Sequence, residues 1–253
     1  IAKHIHPLVL DLHDRTGITW CGWVVVNQYT VANGQHHTIV GFHFIESVQV
    51  FDTIRPQQLS VCTTGQHNAM HTISAFDAGG IERVVRYAFE VAQTRPRRLL
   101  ASATKSNALQ HSMVLWDEVV DELAPAYTDV TVRRYHVDAL AARMVTHPDS
   151  IDVIVASNLF GDILADLGAA VSGSLGVAPG ANLNPGREYP SMFEPIHGSA
   201  PDIAGQGVAN PIGAIWAGAL MMDHLGHREL HDRIVQGIER VLARGEVRTL
   251  DLG

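Results

Sequence analysis

The stretch IDVIVASNLFGDILADLG, residues 151–168, places a short apolar run directly before an amphipathic segment. The run from Ile151 to Ser157 is typical of a buried strand, and the residues after it repeat their apolar side chains at helical spacing. Asp162 and Asp166 stand four positions apart in this helix, on one face, where like charges repel by roughly 0.2–0.5 kcal/mol. Either both carboxylates are solvated or a cation lies between them.

The same alternation of strands and helices extends outward from this stretch, beginning near residue 76. It predicts an α/β fold, with a parallel or mixed sheet and flanking helices. The predicted strands cover residues 97–104, 129–138 and 151–157, and the predicted helices cover residues 79–96, 107–127, 139–149, 157–168, 211–226 and 228–245. A loop rich in Gly and Pro is expected over residues 173–201.

Residues 1–75 differ from the rest, because they are strand-like and rich in His, Trp and Val without a helical pattern after them. We therefore treat this range as an atypical segment of unknown fold.

Composition excludes several classes of protein. The 253 residues are 46% hydrophobic and carry a formal net charge of −8, so the chain can bury a substantial core but lacks the basic character of a nucleic-acid binder. It has no apolar run long enough to span a membrane, and its first residues do not resemble a signal peptide. Cys21 and Cys62 are the only cysteines, which favours a reducing, cytoplasmic setting over a disulfide framework.

Four residues that follow predicted strands are candidates for chemistry. A divalent cation, Mg²⁺ or Mn²⁺, would turn the repulsion between Asp162 and Asp166 into coordination. The alternative is that Asp162 favours the helix N-terminus and Asp166 is solvated. Asp138 is either a third ligand or a helix N-cap. Lys105 is either a general base near a cation or a surface lysine beside Ser106, which caps the next helix.

The segment FEPIHGSAPDIAGQGVANPIG, residues 193–213, is rich in small residues that let a backbone approach a ligand closely. Asp202 is a candidate acceptor for ribose hydroxyls. The segment has no G-x-G-x-x-G motif, so an irregular loop without a ligand is the alternative interpretation.

Three motifs resemble the isocitrate and isopropylmalate dehydrogenase family, and within it the tartrate and D-malate dehydrogenase branch. They are TKSN (104–107), SNLFGDILADLGAAVSGSLGVAPGANLNP (157–185) and MFEPIHGSAPDIAGQGVANPIG (192–213). The resemblance runs from about Asp77 to the last residue. It implies an isopropylmalate dehydrogenase-like two-domain α/β fold and the NAD- and metal-dependent oxidation and β-decarboxylation of a small 2-hydroxy acid.

The resemblance also implies roles for particular residues. The catalytic lysine falls on Lys105, and the ligands of Mg²⁺ or Mn²⁺ fall on Asp138, Asp162 and Asp166. Asp202 falls at the adenosine ribose, where a carboxylate favours NAD over NADP. The cofactor-binding residues are His197, Gly198, Ser199, Ala200, Pro201, Asp202 and Asn210.

In this family Lys105 and Asp138 would come from one subunit, and Asp162 and Asp166 from the other, so a homodimer is implied. We accordingly assign residues 76–172 to a dimerisation and metal-binding region and residues 173–253 to a cofactor-binding region. The expected partner is a small hydroxy acid, with no nucleic acid and no membrane.

The family's N-terminal GDGIG-type turn and its REN-T-G-Y-like segment, which supplies substrate arginines and a tyrosine, are not found here. The chain is also shorter than family members, so the expected fold is incomplete. The alternative function is therefore a catalytically impaired family member that retains dimerisation and partial binding of NAD and metal.

Overall fold

The computed structural model describes residues 10–11, 19–20, 24–30, 46–52, 76–246 and 248–253. Two short strands, β1 (Leu10–Asp11) and β2 (Thr19–Trp20), form an antiparallel pair. The other described strands form one seven-stranded sheet.

The large sheet has the order β6-β5-β7-β3-β4-β8-β9. Every neighbouring pair is parallel except the edge strand β9, which runs antiparallel to β8. Its strands are β3 (Val24–Thr30), β4 (Glu46–Asp52), β5 (Leu99–Thr104), β6 (Thr131–His136), β7 (Val153–Ser157), β8 (Pro179–Asn182) and β9 (Met192–Pro195). The expected mixed sheet is confirmed. The sheet includes strands from all three regions predicted from the sequence, residues 1–75, 76–172 and 173–253. The division into these regions stays a prediction.

Six α-helices in the described residues flank this sheet. They are α1 (Ala78–Thr94), α2 (Ser112–Leu123), α3 (Val137–Thr146), α4 (Asn158–Val171), α5 (Ile212–His224) and α6 (Arg228–Arg244). Asp77 caps α1, because its side chain accepts a hydrogen bond from the Gly80 amide at 3.0 Å. Gly245 ends α6 with a positive φ of 62°, a conformation that suits glycine.

Two buried clusters hold the helices on the sheet. The larger includes Phe89 of α1 and Trp116 of α2, and the indole of Trp116 donates a 3.0 Å hydrogen bond to the buried Ser102 hydroxyl of β5. The smaller joins α3 and α4 to β5 and β7 through Leu140, Leu164 and Ile154. Strand β7 is buried along its whole length, as its apolar sequence predicted.

Two predictions about local structure are wrong. Helix α2 begins at Ser112 rather than near residue 107, and its N-cap is His111 rather than Ser106. The range 173–201 is also more than a loop, since it contains β8 and β9. These four-residue strands owe their conformation to pairing with each other and with β4, which sequence periodicity does not reveal.

Two further findings concern the expectations about membrane-spanning segments and about the two cysteines. None of the helices in the described ranges is long and apolar enough to cross a membrane. Cys21 and Cys62 lie outside the described residues.

Candidate functional site

Three adjacent parallel strands, β6, β5 and β7, bring the candidate metal and proton-transfer residues to one edge of the sheet. Lys105 follows the last residue of β5, and Asp138 lies in the first turn of α3, directly after β6. Asp162 and Asp166 lie on α4, which begins directly after β7. All four therefore follow the carboxyl ends of neighbouring strands, where ligands collect in open α/β sheets.

Lys105 and Asp138 form an ion pair within one chain. The Nζ atom of Lys105 lies 2.5 Å from Oδ1 of Asp138. This bond is the main reason why the pKa of Asp138 lies below its usual range. The helix N-cap here is His136, so Asp138 does not cap α3. Its carboxylate is instead exposed, and its Oδ1 atom is paired with the lysine ammonium.

Asp162 and Asp166 are a turn apart on α4, as their spacing predicted. Partial burial raises the pKa of Asp166, and the negative charge of Asp162 raises it further. The helix therefore holds two neighbouring carboxylates on one face, where like charges repel. In the described part of the chain, no three His, Cys, Asp or Glu side chains come close enough together to hold a metal ion.

Large apolar side chains are exposed on α4 beside these acids. Leu159 and Ile163 are 64% and 55% accessible to solvent. Val145, near the end of the neighbouring α3, is also exposed.

The predicted cofactor residues lie on the loop between β9 and α5, which we call the cofactor loop (residues 197–210). Asp202 is exposed, and so are Gly198, Ser199 and Pro201, whereas His197, Ala200 and Asn210 are half-buried. Gly205 and Gly207 have φ of 76° and 69°, which other residues rarely adopt. A Cβ atom added at Gly198, Gly205 or Gly207 would meet nothing within 4 Å, so the loop has open space along its glycines.

The fold does not bring the cofactor loop to the same edge of the sheet as the carboxylates. Strand β9 is antiparallel, and its last residue, Pro195, pairs with the first residue of β8, Pro179. The loop therefore begins at the amino ends of the parallel strands. It also follows the edge strand opposite β6. Within one chain, the metal candidates follow three neighbouring strands, but no three of them lie close enough together to hold a metal ion. The cofactor loop begins at the other edge of the sheet.

Sequence reasoning missed one cluster beside this loop. Asp251 accepts a 2.9 Å hydrogen bond from the Asn210 amide and another from the Ser174 hydroxyl. These three residues are distant in sequence, and no spacing or motif links them. Of the three, only Asn210 is a predicted site residue, because it lies in the cofactor loop.

Comparison with known proteins gives strong matches to one family. The family model of isocitrate/isopropylmalate dehydrogenase matches residues 34–253, beginning earlier than Asp77, where the resemblance was expected to begin. The D-malate dehydrogenase [decarboxylating] of Escherichia coli strain K12 is 52% identical over 185 residues, which are 71% of this chain and 51% of that protein. The probable tartrate dehydrogenase/decarboxylase of Bacillus subtilis strain 168 is 54% identical over 180 residues, covering 71% of this chain and 50% of that protein.

Comparison with solved structures agrees with the sequence matches. The isocitrate dehydrogenase of Methylococcus capsulatus superposes with a TM-score of 0.72 at 37% identity, covering 76% of this chain and 56% of that one. The TT0538 protein of Thermus thermophilus superposes with a TM-score of 0.69 at 34% identity, covering 72% of this chain and 36% of that one. The chain spans about half the length of the curated relatives it matches. With its sheet, its motifs and these matches in agreement, the chain belongs to the isocitrate/isopropylmalate dehydrogenase family.

Proposed function

We propose that this chain takes part in the NAD- and divalent-metal-dependent oxidation and β-decarboxylation of a small 2-hydroxy acid such as tartrate or D-malate. The observation that carries the proposal is the edge formed by β6, β5 and β7, where Lys105 and three carboxylates follow adjacent strands. Family membership and the activities after which the relatives are named support the reaction class.

The carboxylates suit Mg²⁺ or Mn²⁺, since hard cations prefer oxygen ligands. Asp162 and Asp166 would hold the cation from α4, where partial burial and the neighbouring charge of Asp162 raise the pKa of Asp166. One chain supplies no third ligand close to them among its described residues. We assign that role to Asp138 of a second copy. A bound cation supplies Lewis-acid polarisation of the substrate hydroxyl and its neighbouring carboxylate.

A homodimer follows from this assignment and has independent support. Leu159 and Ile163 flank Asp162 on α4 and are mostly exposed, although both are large and apolar. A second copy that covers this surface would bury them and bring its own Lys105 and Asp138 toward the acidic pair.

The cofactor loop suits a dinucleotide. Its glycines leave open space beside the backbone, and the exposed Asp202 carboxylate can accept hydrogen bonds from ribose hydroxyls. The same negative charge repels the 2'-phosphate of NADP. NAD, when bound, supplies the acceptor for the hydride.

Lys105 is the proposed proton acceptor. Oxidation of the alcohol removes a hydride from carbon and a proton from the hydroxyl oxygen, and Lys105 in its neutral form takes the proton. The resulting β-keto acid then loses CO₂, and the electron pair left on carbon is quenched by a proton. Asp138 holds the Lys105 side chain at the edge of the sheet, 2.5 Å away, before substrate binds.

A second candidate function is retention of dimerisation and partial NAD and metal binding, with little catalysis. One observation favours it. The cofactor loop begins at the amino edge of the sheet and the carboxylates follow the opposite edge. Misplacement of reacting groups by about 1 Å already costs ~100-fold in rate.

One assay separates the two candidates. The chain is incubated with Mn²⁺, NAD and, in turn, D-malate, tartrate or 3-isopropylmalate, and NADH absorbance is followed, with Lys105→Met as the control for base catalysis. Turnover at or above about 1 s⁻¹ that is lost in Lys105→Met supports the dehydrogenase. Binding of Mn²⁺ and NAD without turnover supports the second candidate. Absence of both turnover and binding contradicts both candidates.

A further inference from the structure

We infer that Asp251 is a positioning residue for the cofactor loop and that it acts through Asn210. The inference rests on the proposed NAD site. It assigns a role to the C-terminal residues, which neither the motifs nor the candidate site residues included.

The Asp251 carboxylate holds Asn210 directly. Its Oδ2 atom accepts a hydrogen bond from Nδ2 of Asn210 at 2.9 Å. The other side-chain atom of Asn210, Oδ1, accepts from the backbone amide of Ile212 at 3.0 Å, at the start of α5. The amide of Asn210 is therefore held at both its donor and its acceptor, which fixes the point where the cofactor loop joins α5.

A second hydrogen bond connects Asp251 to the segment before β8. Its Oδ2 atom also accepts from the hydroxyl of Ser174, a buried residue just before β8. The Ser174 oxygen in turn accepts from the Gly176 amide at 2.9 Å. We call Ser174, Gly176, Asn210 and Asp251 the Asp251 cluster. It joins the cofactor loop, the approach to β8 and the C-terminal residues at one point.

The cluster is closely packed. A Cβ atom added at Gly176 would lie 2.7 Å from Oδ2 of Asp251 and 2.9 Å from Cβ of Asn210. Such distances are too short for a real contact, so the cluster requires glycine at position 176. The backbone at Gly176 therefore packs directly against both Asn210 and Asp251.

The ionisation of Asp251 agrees with this geometry. Partial burial acts against its charge, but hydrogen bonds, the strongest effect coming from Ser174 and smaller ones from Thr249, Asn210 and the backbone, outweigh it, and the pKa of Asp251 lies below its usual range. A charged acceptor makes stronger hydrogen bonds than a neutral one. The carboxylate is thus a firm anchor at neutral pH.

The rest of the cofactor loop shows why an anchor matters. The bonds in its middle include Ile203 N to Ala200 O, at 3.1 Å, and Gln206 Nε2 to Asp202 O, at 2.7 Å, both internal to the loop. Bonds of this kind shape the loop without fixing it to the fold. A loop whose end is fixed in advance loses less conformational freedom when a ligand binds, and binds it more tightly.

The test measures NAD affinity of the full chain by calorimetry, for the wild type and for Asp251→Ala and Asp251→Asn. Asp251→Ala should bind NAD about tenfold more weakly, which corresponds to ~1.4 kcal/mol. Asp251→Asn should recover most of the affinity, because its amide oxygen can still accept both hydrogen bonds. The matched control is Asp129→Ala, which removes a carboxylate with two partners, Gln93 and Arg98, beside the opposite edge strand.

Two further measurements separate positioning from general stability. Mn²⁺ affinity should be unchanged in Asp251→Ala, because the carboxylates of α4 follow the other edge of the sheet. A double-mutant cycle with Asn210→Ala should show that the two losses of NAD affinity are not additive, since both remove the same contact.

The outcomes are distinct. A wild type that does not bind NAD overturns the proposed site and this inference together. A wild type that binds NAD while Asp251→Ala binds it equally well overturns the inference alone. Additive losses in the cycle, or a parallel loss of Mn²⁺ affinity, assign Asp251 to general stability and also overturn the inference.

Discussion

Lys105 and Asp138, which are 33 positions apart in sequence, meet at 2.5 Å between Nζ and Oδ1 across the ends of two neighbouring parallel strands. The pairing shows that β5 and β6 place the residues that follow them side by side. The bond from Lys105 also lowers the pKa of Asp138 below its ordinary value.

The first prediction concerns this pair. In Lys105→Met the pKa of Asp138 should rise toward its ordinary value, because the lysine bond is the main cause of its depression. Carboxyl NMR titration of the wild type and the variant measures the change. An Asp138 titration that is the same in both would show that the two side chains do not pair in solution.

The second prediction concerns the acidic pair on α4. Asp166→Asn should bind Mn²⁺ at least about tenfold more weakly, or ~1.4 kcal/mol, because a charged ligand is lost. Electron paramagnetic resonance of free Mn²⁺ measures the affinity. Glu90→Gln, an exposed acid on α1, is the control for net charge and should bind as the wild type does. Equal affinities of all three proteins would contradict the metal site.

The third prediction concerns association. The wild type should sediment as a dimer at micromolar concentration, and Leu159→Glu combined with Ile163→Glu should shift it to monomer, because buried charge opposes the contact. Leu225→Glu, at a similarly exposed leucine after α5, is the matched control and should remain dimeric. A monomeric wild type would contradict the proposed homodimer.

The fourth prediction concerns cofactor preference. Asp202→Ser removes the charge that should repel a 2'-phosphate while keeping a hydroxyl for the ribose. The preference for NAD over NADP should fall in this variant, as measured by the ratio of the two dissociation constants. A ratio that does not change would show that Asp202 does not contact the ribose.

The fifth prediction concerns pH. Burial of the His224 imidazole, together with the nearby positive charge of Arg187, lowers its pKa in the folded chain. An unfolded histidine takes up its proton near pH ~6.5, so the folded state loses relative stability as the pH falls through and below that value.

The advantage of the wild type over His224→Gln in the free energy of unfolding should therefore be full above pH ~6.5 and shrink below it. Urea unfolding at several pH values measures this difference. His147→Gln, at an exposed histidine, is the control. A difference that grows on acidification would mean that the folded chain favours the charged form of His224.

The regular part of the fold was predictable because its elements are long and periodic. Helices α1 and α4 repeat their buried positions over fourteen or more residues, and β7 is buried throughout. Strands β8 and β9 were missed because four residues carry too little pattern, and their conformation depends on distant partners.

The candidate site was predictable to a similar extent. The predicted ends of β5, β6 and β7 indicate where Lys105, Asp138 and the acids of α4 lie, because residues that follow neighbouring parallel strands share one edge of the sheet. The separation of the cofactor loop from that edge follows from the antiparallel direction of β9, which composition does not encode. The Asp251 cluster joins residues 174, 210 and 251, and only the folded chain brings them together.

The middle of the sheet has a consequence for how the chain folds. Strand β3 lies between β7 and β4, and its Val24 pairs with Val153 near the centre of the sheet. Contacts between residues so far apart in sequence are slow to form, because a long loop must close before they contribute any stability. The units from β5 to α4 are linked by short connections, so we expect them to assemble first, and insertion of β3 to be the late, rate-limiting step.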